Sequence, residues 1–153
     1  MRAALLAAVL LVATAAPATA ADTDYLIWDS DPGAWPTQGR SGTWTPPELL
    51  GVHEYPAPDN SIRIYGESNN GWDHVEMRLF RHDGQRITEG HHEDQRVLVV
   101  NKGFGWYDDA GDFDVTHVAY DAEGRISEFD GSVEHHYGDR PDSTFRAKLS
   151  YRR

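Results

Sequence analysis

Four of the eight histidines in this chain stand in two adjacent pairs, and they are the side chains best suited to chemistry. His91-His92 lies in "EGHHEDQRV" and His135-His136 in "SVEHHYGDRPD", each with carboxylates alongside. Imidazole and carboxylate donors together suit zinc, copper or nickel. On an extended strand, though, neighbouring side chains leave on opposite faces, so neither pair can grip one ion by itself. A metal centre would have to take one histidine from each pair, with Glu93, Asp94 or Glu134 brought to it across a sheet. The compact H-E-x-x-H spacing is absent.

A second cluster is rich in oxygen. "WYDDAGDFDV" sets Asp108, Asp109, Asp112 and Asp114 around a glycine, which reads as an acidic hairpin turn and a candidate Ca²⁺ loop. Neither the EF-hand spacing nor a calcium-binding nonapeptide repeat is present. The third group is aromatic. Trp35 and Trp72 fall in loop-like contexts, and "SNNGWDH" places Trp72 two residues before His74, among polar hydrogen-bonding groups. Exposed rings beside such groups stack on sugars or anchor a protein partner, so Trp35, Trp72 and His74 are the candidate ligand-binding residues.

Other chemistries find little here. With no cysteine, thiol catalysis, zinc–thiolate sites and disulfides are excluded. There is no G-x-S-x-G elbow and no glycine-rich phosphate loop opening a helix. Among 25 acidic residues some pair at hydrolytic spacing is inevitable, so such a pair carries no signal. The sequence therefore points to a non-enzymatic binding module for an extracellular glycan or protein. The alternatives are a His/carboxylate metal-binding protein or metal-dependent hydrolase, and a purely structural envelope protein.

The elements that must hold these residues follow from the rest of the chain. Residues 1–20 carry one arginine, a short apolar run and Ala18-Thr19-Ala20, which predicts a secretory signal peptide cut before Ala21 and a secreted, extracellular or periplasmic location. Its loss would leave residues 21–153 as one β domain and make the formal charge of −11 one unit more negative. That balance disfavours nucleic acid and anionic membrane surfaces, both of which are bound through basic patches. Eight histidines on so acidic a chain also predict association that depends on pH near the ordinary imidazole value of about 6.5.

Residues 24–28 and 42–45 read as short strands, and the proline-rich stretch after them as loop. Beyond Asn60 the oily and polar side chains alternate. Ile62 and Ile64 oppose Arg63 and Tyr65; Val75, Met77 and Leu79 oppose His74, Glu76, Arg78 and Phe80; Phe145, Ala147, Leu149 and Tyr151 oppose Arg146, Lys148 and Ser150. Asp83-Gly84 has the composition of a tight type I′ hairpin. The same alternation sends Phe129, Val133, His135 and Tyr137 inward, and Glu134 and His136 to water. In all, about eight short strands without a helix predict a single antiparallel β-sandwich, or else a partly closed barrel.

The order of "YLIWDSDPGAWPTQGRSGTWTP", "ITEGHHEDQR", "GFGWYDDAGDFDVTHVAYDAEGRISEFDGSVEHHYGD" and "AKLSYR" resembles a family of small secreted bacterial β-sandwich domains of uncharacterised function. The resemblance implies a secreted β domain and no particular activity. Members of that family commonly carry a cysteine pair at the positions held here by Trp106 and Tyr137. The resemblance thus implies that these two rings fill the volume of a disulfide.

Overall fold

In β5 (His74–Phe80) every second side chain is fully buried, and the same period of two runs through β4 (Ser61–Glu67) and most of β9 (Thr144–Arg152). Such a pattern needs a sheet with one dry face and one wet face. The computed structural model, which describes residues 23–68, 71, 73–140 and 142–153, supplies it. The remaining strands are β1 (Tyr25–Ser30), β2 (Ser41–Trp44), β3 (Leu49–Tyr55), β6 (Gly90–Asn101), β7 (Phe104–Tyr120) and β8 (Ile126–His136). Among the described residues there is no helix. The expected signal peptide lies outside the described residues.

The nine strands among the described residues belong to one antiparallel sheet in the order β2-β1-β9-β8-β7-β6-β5-β4-β3. Of the two expected architectures it is the barrel that holds, because one sheet curls on itself instead of two sheets facing each other. The closure is unusual. β2 and β3 are the two edges and run in the same direction, yet only residues 45–48 join them. A parallel crossover takes a dozen or more residues, so the two must lie end to end along one course. The first part of that course pairs with β1 and the second with β4.

Packing fastens this seam. The indoles of Trp28 and Trp44 stack with ring centroids 5.8 Å apart, and Phe145 lies 5.8 Å from Trp28. Gly42 and Gly66 leave room for them. A Cβ on Gly42 would stand 2.5 Å from Trp28 Nε1, and one on Gly66 would stand 2.9 Å from both Trp44 Cε3 and Leu26 Cδ2. Leu26, Ile62, Ile64, Met77, Val99, Phe113, Phe129 and Leu149 continue the interior around the barrel.

Three local expectations need correction. β3 occupies part of the stretch read as loop; prolines on both sides mask it, but Val52 is buried opposite Ile64. The acidic segment is not a turn. Asp108, Asp109 and Asp112 lie inside β7, where Gly111 fits against Val97 and the Glu134 carbonyl. The tight two-residue turn falls instead at Lys102-Gly103, both with positive φ, between the paired residues Asn101 and Phe104. Asp83-Gly84 sits in the longer connection 81–89, where the Gly84 amide donates to the Arg81 carbonyl at 3.0 Å.

If the seam depends on this packing, Trp44→Ala will lower the unfolding free energy by about 3–5 kcal/mol. Gly66→Ala, which crowds the same contact from the other side, will lower it by about 1–3 kcal/mol. Urea titration followed by tryptophan fluorescence measures both; unchanged midpoints would mean that closure rests elsewhere.

Candidate functional site

Alternation divides each histidine pair. His135 points into the barrel and is wholly buried; its Nε2 lies 3.0 Å from the Trp106 carbonyl, and its Nδ1 has no hydrogen-bond partner among the described residues. Burial pushes the ring's pKa below the ordinary histidine value. His136 turns outward. Its ring sits between Asp108 Oδ2, 3.0 Å from Nδ1, and Glu134 Oε1, 3.2 Å from Nε2, and its backbone amide donates to Asp108 at 2.7 Å.

His91 lies on the outer face with Nδ1 2.8 Å from Asp114 Oδ1; that hydrogen bond raises its pKa, and the charge of Asp114 adds to it. His92 stacks on the buried Phe113 ring at 4.7 Å, with Nε2 2.8 Å from the Thr88 carbonyl. The four rings are not brought to one point. Among the described residues no group of three or more His, Cys, Asp or Glu side chains is placed to hold a metal ion.

The aspartates of β7 also go separate ways. Asp108 turns to His136, Asp109 pairs with Arg96 at 2.8 Å, and Asp112 accepts the Asp94 amide at 2.8 Å. On the outer wall a groove of about 600 Å³ is lined by Ile27, Asp29, His91, Glu134, Arg146 and Lys148, among others. Its carboxylates are engaged as well: Asp29 lies 4.0 Å from Arg146, and Asp114 accepts from Ser132 at 3.2 Å. No poised acid–base pair results.

The aromatics behave differently. Residues 31–40 fold back over one end of the barrel, with the Asp31 amide donating to Thr144 O at 2.8 Å and the Gly33 amide to Asp142 O at 2.9 Å. Arg40 pins this loop by donating to the carbonyls of Pro36 and Thr37 and to Asn101 Oδ1. Asn101, buried at the end of β6, donates in turn to the His74 carbonyl at 2.6 Å. His74 therefore helps to place Trp35, but through its main chain. Trp72 lies outside the described residues.

Held in this way, half-buried Trp35 meets Phe104 edge to face at 5.5 Å. Two residues along the same face of β7, Trp106 meets Tyr137 edge to face at 4.8 Å. The two positions that the resemblance paired do touch. Phe104 and Trp106 are 59% and 43% exposed, which makes this rim the main display of large apolar groups at the Lys102-Gly103 hairpin. Nothing in the alternation of oily and polar residues singles out Phe104 in "NKGFG". Read as a two-residue turn, the same five letters put Phe104 and Trp106 on one face of a hairpin tip.

The barrel wall carries aromatics too, and arginines lie over one face of several of them, although Tyr107 and Tyr55 stay exposed. Arg78 lies over Tyr55 at 4.5 Å and over Phe80 at 5.1 Å; Arg96 covers Tyr107 at 4.9 Å, Arg63 covers Tyr65 at 4.9 Å, and Arg86 covers Tyr120 at 4.1 Å. Among the described residues no guanidinium lies over Trp35, Phe104, Trp106 or Tyr137. Comparison of the chain with family models, with curated proteins and with solved structures returns no match.

The Asp114 contact gives a direct electrostatic test. Because it raises the folded-state pKa of His91, its stabilising effect is full below the unfolded value of about 6.5 and fades as pH rises through the folded one. Asp114→Asn will bring the His91 midpoint back toward about 6.5 in an NMR titration. A midpoint that does not move would show that the pair is not formed in solution.

Proposed function

We propose that this protein is an exported, non-catalytic binding module, and that its rim of Trp35, Phe104, Trp106 and Tyr137 stacks on a carbohydrate. One observation carries the reading: Phe104 and Trp106 are exposed and, among the described residues, no guanidinium lies over the four rim rings, whereas the exposed wall rings Tyr55 and Tyr107 each have an arginine over one face. An edge-to-face pair leaves ring faces open, and an open face beside hydrogen-bonding loops suits the apolar side of a sugar ring. Contiguous apolar exposure on so acidic a surface otherwise works against solubility and marks an interaction site. A protein ligand would use the same anchors. The metal-protein alternative lacks a converging donor set among the described residues, so the rim is the stronger basis. Export and the bacterial family resemblance accord with an extracellular glycan as partner.

Calorimetric titration against a panel of soluble polysaccharides and oligosaccharides tests this. Trp106→Ala and Phe104→Ala should each weaken binding about tenfold or more, the size expected of a buried aromatic anchor. Tyr107→Ala, which removes a neighbouring but capped ring on the wall, should change affinity little. A glycan that binds equally well to both rim variants, or that loses affinity only with Tyr107→Ala, would refute the assignment.

A further inference from the structure

Trp106 is held from beneath by a side chain that has no other role in the site. The His135 ring lies inside the barrel, opposite Phe145 on β9 and two residues from Val133 on its own strand. The Trp106 carbonyl can only accept, so Nε2 carries the proton of the neutral ring and donates to it at 3.0 Å. Nδ1 is then a bare lone pair, buried and without a hydrogen-bond partner among the described residues. We propose that protonation of His135 opens the aromatic rim, so that the module releases its ligand as pH falls. This rests on the rim being the binding surface.

The geometry supplies the mechanism. A proton added at Nδ1 places a cation among apolar side chains, a cost that the neutral ring avoids and that a hydrogen bond to its own main chain offsets only in part. The cost is relieved if the ring reaches water, and the chain that it bonds and the chain that follows it carry the Trp106–Tyr137 pair. Trp106 shares the His135 hydrogen bond, and Tyr137 follows it by two residues. Opening at this point separates the two rings that form half of the rim.

The surroundings of His135 do not cancel this cost, although its hydrogen bonds to the Trp106 carbonyl and to its own main chain favour the protonated ring. From β7, Asp108 favours the protonated ring, but its carboxylate already accepts from the Ala110 amide and from both the amide and the ring of His136. From β8, His136 disfavours it. From β9, the facing residue is the uncharged Phe145, while Arg146 lies across from Glu134 on the outer face. Burial is the dominant influence and holds the ring below the ordinary histidine value. The sign follows. An opened rim binds the proton more readily, so the closed rim is fully favoured above about pH 6.5 and loses ground as pH falls toward the folded-state value.

The test starts with the ligand-free full chain, so that it does not depend on the ligand. NMR signals of the His135 ring, the Trp106 indole and the Tyr137 ring are followed from pH 8 to 4.5. The expected result is a shared midpoint below about 6.5, abolished in His135→Gln and retained in His136→Gln. A Trp106–Tyr137 transition that persists in His135→Gln would overturn the proposal. So would a wild-type His135 that titrates while both rim rings stay fixed, a measurement that stands even if the variant does not fold. With a bound oligosaccharide in hand, affinity at pH 5 should be at least tenfold below that at pH 7.5 in wild type and nearly unchanged in His135→Gln. A rim that opens on schedule but binds no glycan at any pH would remove the carbohydrate reading and leave the His135 switch standing.

Discussion

The barrel is held shut by side chains at the one place where its hydrogen-bond ladder changes hands. β2 pairs only with β1 and β3 only with β4, so the course they share has a ladder on alternate sides. Trp28, Trp44 and Leu26 fill the gap from one side because Gly42 and Gly66 have no side chains to obstruct them from the other. Once the sheet is closed in this way, inside and outside are fixed for all the strands, and the chemistry of each polar residue follows from the face it inherits.

That inheritance is most visible in the histidines and acids. Each adjacent histidine pair is divided between the two faces of the sheet, with His135 buried and His92 half-buried, and the outward members are taken up by local carboxylates: His136 by Asp108 and Glu134, His91 by Asp114. Four surface arginines are placed in a similar manner, standing over wall aromatics while pairing with Asp59, Glu76, Glu54 and Asp109. Exposed ion pairs of this kind add little stability singly. Each guanidinium also stands over one face of an aromatic ring, whereas among the described residues none stands over the rim.

The rim and the core meet at His135. A buried imidazole with one nitrogen unpaired among the described residues is a costly element of a largely apolar interior. Its side-chain hydrogen bond runs to the main chain of Trp106, the most exposed indole described. The opposite end of the rim rests on a fully satisfied relay, Arg40 to Asn101 to the His74 carbonyl. The two supports differ in kind: the relay contains no imidazole, whereas the other runs through a buried ring on which burial penalises a positive charge.

Much of this was legible in the sequence, because a period of two is a local property. Val75, Met77 and Leu79 announce their burial by their spacing alone, and the same rule places His135 inside and His136 outside. The absence of cysteine and of compact ligand motifs is equally plain from the letters. Tertiary structure alone decided what closure brings together: Trp35 with Phe104, Trp106 with Tyr137, Arg78 over Tyr55, and β2 with β3 on one course. It also showed that Asp108, Asp109 and Asp112 lie within a strand and disperse to separate partners. Alternation tells a side chain which face it occupies, but says nothing about which distant residue will share that face. That choice is made by the curl and register of the whole sheet, which no short stretch of sequence contains.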